Sequence, residues 1–259
     1  MTNLVAPDFT DLSEPSGQEQ VVRKLREDGL AKFSGVADRA ALRKIAERLL
    51  RVYPHPDSGP DGVTVVAGSG DDHRPGLAGF TCAELRPHTD RSGVPEPPLL
   101  VMLTCVVSAE HGGQSVVVDG KLLYGVLAAQ DEEILQILSR PRSALFGGAG
   151  GYLGAIFERD ADARVSVRLR LDELSRFSPD VTQVIPRLVA LAERHMLVLP
   201  LRAGQGYILN NSRWLHGRAR FSGTRTMFRV LGNPLPDLAI RRGFTPSSSR
   251  LGCGEYAHT

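Results

Sequence analysis

Two histidines and one aspartate carry the most pointed chemistry in this chain. His88 and Asp90 flank Thr89, so on an extended strand both side chains point to one face. An imidazole and a carboxylate arranged in this way can hold one side of a metal ion. His216, in the segment Trp214-Leu215-His216-Gly217-Arg218, can supply a third ligand from a distant strand. Two histidines and one carboxylate form the facial set that suits non-haem Fe(II) and leaves other positions open. Those positions suit a bidentate 2-oxo acid together with dioxygen. A lone His-x-Asp tripeptide is common by chance, so its meaning depends on the elements around it.

Periodicity and punctuation predict those elements. Residues 17–28 read as a helix with Val21, Val22 and Leu25 on its apolar stripe and Gly29 as its stop. A short strand follows at 30–33. Asp38 can cap a second helix that buries Ala41, Leu42, Ile45, Leu49 and Leu50, ended by Pro54 and Pro56. Residues 63–66 form a strand. The glycine-rich polar stretch 68–79 is either a solvated connection or a lid over a substrate, with His73 a surface residue. The run 80–85 leads into Pro87, His88 and Asp90. Residues 99–107 are almost continuously apolar, as in a strand buried on both faces. His111-Gly112-Gly113-Gln114 is a turn before a strand at 115–118. Asp119 and Asp131 can each cap a helix. Strands are expected at 143–146, 152–157 and 165–169, and a helix at 179–194 with Pro186 inside it. Strands at 196–199 and 207–209 are joined by a predicted hairpin turn at 202–206. A last long strand runs over 224–231.

Many short strands, few helices and metal ligands on strands indicate a mainly β fold with flanking helices, its core a double-stranded β-helix, or jelly roll. A doubly wound fold is disfavoured, because strands and helices do not alternate regularly and no glycine-rich phosphate loop is present. The expected organisation of residues 1–259 is one domain: helices at about 17–52, a metal-site core at about 80–232 and a tail at 233–259. The 42% hydrophobic and 23% charged content are those of an ordinary soluble protein. A net charge of +2 creates no field that favours nucleic acid or membrane. No stretch reaches the length of a membrane span. Cys82, Cys105 and Cys253 are far apart and odd in number, as expected of reduced thiols in a cytoplasmic protein.

Four stretches together resemble a known family, the taurine dioxygenase and clavaminate synthase-like Fe(II)/2-oxoglutarate oxygenases. They are His88-Thr89-Asp90, Gly112-Gly113-Gln114-Ser115, the segment from Asn210 and Asn211 to His216-Gly217-Arg218, and Arg225-Thr226-Met227-Phe228-Arg229. Their order and spacing agree with the family over residues 88–229. The resemblance implies that His88, Asp90 and His216 hold Fe(II). It implies further that 2-oxoglutarate chelates the iron while Arg225 and Ser115 hold its far carboxylate. A guanidinium suits that task because it binds bidentately and stays charged when desolvated. Serine stands where the family more often has threonine.

Arg229 matches an arginine that in the family often meets an anionic group of the substrate. The short interval between His216 and Arg225 leaves open which arginine serves which anion. Glu84 and Arg86 are further candidates at the substrate pocket, and Phe80, Phe146 and Tyr152 are either pocket walls or core. Asp90 argues against halogenation, which requires a small residue in its place. The implied reaction consumes dioxygen and converts 2-oxoglutarate to succinate and carbon dioxide. It oxidises an unactivated C–H of a small anionic or zwitterionic metabolite, by hydroxylation unless the radical is redirected to desaturation, cyclisation or epimerisation. The rivals are a jelly roll that binds metal without turnover and a zinc hydrolase. Ser115 and the two arginines argue against both.

Overall fold

Strands rich in leucine and valine build the centre of the protein. The computed structural model describes residues 3–4, 8–68 and 76–246. The larger sheet runs in the order Thr10–Asp11, Leu30–Ser34, Gly206–Asn210, Leu100–Val107, Thr226–Pro234, with both Leu50–Val52 and Val63–Ala67 paired to the last of these. The smaller sheet runs Asn3–Leu4, Leu197–Leu199, Ser115–Asp119, Trp214–Arg218, Leu85–His88. Each sheet is antiparallel apart from its first pair.

The run 100–105 is buried on both faces for a clear reason, while Val107 at its end is exposed. Val101, Leu103 and Cys105 point into the layer between the sheets, where they meet Tyr207, Leu209, Met227, Val117, Leu199 and Trp214. Leu100 and Met102 point the other way, onto the helices Gly17–Glu27 (α1) and Arg39–Leu49 (α2), through Val21, Leu25, Leu42 and Leu49. The outer face of the smaller sheet offers Val118 and Leu215 to the helices Gly120–Gln130 (α3), Glu132–Leu138 (α4) and Pro179–Arg194 (α5). Each fully buried leucine or phenylalanine here contributes on the order of 1.5–3 kcal/mol. No helix among the described residues is long and apolar enough to cross a membrane.

Several local expectations change. The second helix stops at Leu49, and Leu50 opens a strand against Thr226–Pro234, so the prolines do not end the helix. Asp38 caps as expected, its Oδ1 accepting the Ala41 N–H at 2.8 Å. Asp131 makes no capping bond, because its carboxylate pairs with Arg187 at 2.7 Å. The stretch 152–157 divides into Tyr152–Gly154 and Phe157–Arg159, which belong to different small sheets. The turn at 202–206 is not a hairpin: Leu197–Leu199 lies in the smaller sheet and Gly206–Asn210 in the larger, so the chain crosses between layers. Most of the glycine-rich stretch 68–79, with His73 and its lid reading, and Cys253 lie outside the described residues. Cys82 and Cys105 are free thiols.

Candidate metal centre and its cavity

His216 sits at the middle of the strand Trp214–Arg218, with Val117 and His88 as its register partners on either side. Gly217 makes this pairing possible. A Cβ there would stand 2.4 Å from the Leu85 carbonyl oxygen and 3.0 Å from Pro87 N, so any larger residue would force Leu85–His88 away. The two imidazoles face each other with ring centroids 4.5 Å apart. His88 Nδ1 lies 3.0 Å from the Arg86 carbonyl oxygen. That bond assigns its hydrogen to Nδ1 and leaves Nε2 free as a ligand, the usual device for orienting a metal-binding histidine.

Asp90 does not share the strand with His88. The strand ends at His88, and Asp90 lies in the turn that follows. Its position comes from a residue far away in sequence. Asn211 accepts the Asp90 N–H on Oδ1 at 2.8 Å, and its Nδ2 donates to the carbonyls of Asp90 at 2.9 Å and Pro98 at 3.0 Å. Thr89 is pinned in turn by its N–H on the Leu169 carbonyl at 2.9 Å. Arg168 secures the segment beyond, donating to the carbonyls of Ser92, Val94 and Pro95 and stacking 3.9 Å from the Tyr152 ring centroid.

One donor atom from each of His88, Asp90 and His216 lies within 4.8 Å of the others. Nε2 of His88 is 3.6 Å from Asp90 Oδ1, and Nε2 of His216 is 3.8 Å from Oδ2. Arg229 Nη1 donates to both Asp90 oxygens at 3.2 Å. Burial alone would raise the Asp90 carboxyl, but Arg229 and the two histidines outweigh it and hold the group well below the usual carboxylate range. Burial, reinforced by the charges of His88 and Arg229, pushes His216 down to about 3. The site therefore presents a neutral buried imidazole, a second imidazole with Nε2 free and an ionised carboxylate. This donor set suits a facially bound Fe(II) with open positions.

The donors open into a cavity of about 660 Å³ that Ser115, Tyr207, Arg218, Arg225 and Arg229 also line. Ser115 and Arg225, singled out in the sequence, come together: Arg225 Nη2 is 3.5 Å from Ser115 Oγ, and Nε donates to the Gly113 carbonyl at 3.0 Å. Arg229 reaches the same cavity but is engaged with Asp90. Glu84 and Arg86 line the cavity as exposed residues at its rim. Phe80 lines it as well, whereas Phe146 is fully buried in the core and Tyr152 packs against that core.

Nothing in the sequence marks His55, whose significance is entirely tertiary. The Asp57 N–H donates to its Nδ1 at 3.1 Å, so the ring hydrogen sits on Nε2. That atom is 3.5 Å from Arg229 Nη2, and two donors thus face each other on the cavity wall. Asn211 and Arg218 did stand in the recognised segment, yet no local pattern distinguishes their roles.

The taurine catabolism dioxygenase TauD, TfdA family model matches residues 2–231. The chain belongs to this family. The resemblance to Fe(II)/2-oxoglutarate oxygenases read from the sequence therefore holds. A search of curated protein sequences finds no match. Among solved structures, an asparagine oxygenase in complex with Fe(II), 3-hydroxyasparagine and succinate is similar at 15% identity and a TM-score of 0.63, covering 84% of this chain and 79% of that one. The non-haem iron oxygenase OrfP with Fe and 2-oxoglutarate matches at 14% identity and a TM-score of 0.65, covering 85% and 80%. PvcB from Pseudomonas aeruginosa matches at 17% identity and a TM-score of 0.63, covering 87% and 82%. At such identities the likeness shows a common fold.

Proposed function

We propose that this member of the TauD/TfdA family oxidises a small amino-acid-like or carboxylate metabolite, with hydroxylation as the default outcome, on a jelly-roll core formed by the two sheets as a single domain. His88, Asp90 and His216 hold Fe(II), and Ser115 and Arg225 hold the far carboxylate of 2-oxoglutarate. The observation that carries this reading is the shared cavity: the triad and the Ser115–Arg225 pair open into one space. Iron bound there supplies the activation of dioxygen that decarboxylates 2-oxoglutarate and oxidises an unactivated C–H.

The remaining work falls to the chain's own side chains. Arg229 keeps Asp90 ionised and oriented through Nη1. Its Nη2 and the Nε2–H of His55 are two donors 3.5 Å apart. An anionic oxygen of the substrate, set to one side of the pair, accepts from both. That pairing supports a substrate bearing a carboxylate or similar anion, and the amino-acid complexes of the asparagine oxygenase and OrfP agree with that class. Leu103, Val66 and Tyr207 form part of the cavity wall beside the triad.

The test is anaerobic titration with Fe(II) and 2-oxoglutarate, followed by the visible charge-transfer band of the chelate. The band should need both components, vanish in His88→Ala and weaken in Arg225→Met. Succinate release across a panel of amino acids and small carboxylates then identifies the substrate. No band from folded, iron-loaded protein would sink the oxygenase reading in favour of metal binding without turnover.

A further inference from the structure

Arg218 is a buried cation in the wall of the same cavity. It lies two residues beyond His216 on the same strand, hence on the same face, and its register partner is Ser115. The residue is 3% exposed and lines the cavity. Nη2 donates to the Ala78 carbonyl at 3.2 Å, while Nη1 has no partner among the described residues. Its guanidinium stands 4.8 Å from the Phe221 ring centroid, and that of Arg225 stands 5.8 Å from the same ring. The two guanidinium groups thus share one phenyl ring, and Ser115 is the side-chain neighbour of Arg225 and the strand partner of Arg218.

Neither has an acidic partner among the described residues. No ion pair among the described residues includes either one. The groups that act on Arg218 are Arg225 and Cys82, and those that act on Arg225 are Tyr207 and Cys105. Asp90, the acid nearest the metal, is already taken by Arg229. Burying two cations near one ring without an anion is unfavourable, and an incoming carboxylate relieves it. The strand also sets a length. The Ser115–Arg218 rung lies two residues from the Val117–His216 rung, roughly 7 Å at the usual strand rise. A five-carbon diacid chelated at the metal end extends its far carboxylate to about that level.

We propose that Arg218 is a second arm of the co-substrate pocket: its unpartnered Nη1 and the Arg225 guanidinium grip the far carboxylate of the 2-oxo acid from two sides, with Ser115 Oγ between them. The inference rests on the reading of Ser115 and Arg225 as that pocket. It makes Arg218 a determinant of selectivity for 2-oxo diacids over 2-oxo monoacids.

Calorimetric titration of the Mn(II)-loaded protein, which binds without turning over, tests this with two ligands. One is 2-oxoglutarate; the other is 2-oxopentanoate, which has the same chain length and no far carboxylate. Arg218→Met should weaken 2-oxoglutarate roughly tenfold to a hundredfold, the range for a lost charge-assisted bond, and leave 2-oxopentanoate unchanged. Arg218→Lys, which keeps the charge and disturbs packing least, should recover part of the loss. The ratio of the two affinities cancels general damage to the metal site, and it can be read on the lysine variant if the methionine variant does not fold. An unchanged ratio in Arg218→Met, or in Arg218→Lys should only that variant fold, overturns the second arm. If Arg225→Met shifts the ratio and Arg218→Met does not, the second arm alone fails. If neither shifts it, the reading of Ser115 and Arg225 fails as well.

Discussion

Replacing Asn211 with alanine should unfasten the metal carboxylate without touching a metal ligand. The Asn211 side chain makes three hydrogen bonds at 2.8, 2.9 and 3.0 Å, two to the Asp90 backbone and one to the Pro98 carbonyl. Asn211 is 2% exposed and Asp90 is 7% exposed, so water does not replace those bonds freely. Each buried backbone group left unpaired costs about 1–3 kcal/mol. With partial relaxation the total is about 3–6 kcal/mol, a large share of a stability on the order of 5–15 kcal/mol. For a chain of this size that corresponds to a fall of roughly 10 °C in Tm. Because Asp90 sits in a turn and not on a strand, its carboxylate also loses its aim. Metal affinity should drop roughly 10- to 100-fold, as for other supporting residues around metal sites. Asn211→Asp should do no better, since it keeps an acceptor for the Asp90 N–H but sets a carboxylate against two carbonyls. Urea unfolding of the metal-free protein and Mn(II) titration of the folded variant measure the two effects. An Asn211→Ala protein within about 1 kcal/mol of the parent and equal to it in Mn(II) affinity would refute the reasoning.

Two further outcomes follow from the same geometry. His216 is held near 3 in the folded protein against an ordinary value of 6.5, so below 6.5 the unfolded chain takes up a proton that the folded one refuses. The metal-free protein should lose about 1.4 kcal/mol per pH unit from this group as pH falls from 6.5 toward 3, and His216→Gln should remove that share of the slope; identical slopes in parent and variant would count against it. Arg168→Met should strip the partners from three carbonyls beyond Asp90, lowering stability by about 3 kcal/mol and weakening Mn(II) binding, as unfolding and titration together would show.

The candidate site residues were legible as a set because residue type and spacing single them out. His88, Asp90, His216, Ser115 and Arg225 need no coordinates to be picked out, and the structure gathers them around one cavity. The helices with strong apolar stripes and the doubly buried stretch 100–105 were equally legible, because periodicity records burial. Periodicity does not record which sheet a strand joins, so the crossing at 202–206 looked like a hairpin and the strand Leu50–Val52 looked like helix. The spacing of His88 and Asp90 suggested a common strand face, but Asp90 owes its position to Asn211 in a segment remote in sequence. His55 beside Arg229 and the shared enclosure of Arg218 and Arg225 are likewise products of long-range packing. Sequence by itself picked out the candidate groups by residue type and spacing; only the tertiary structure decided what holds them, because hydrogen-bond satisfaction and charge pairing in a buried site are settled between segments far apart along the chain.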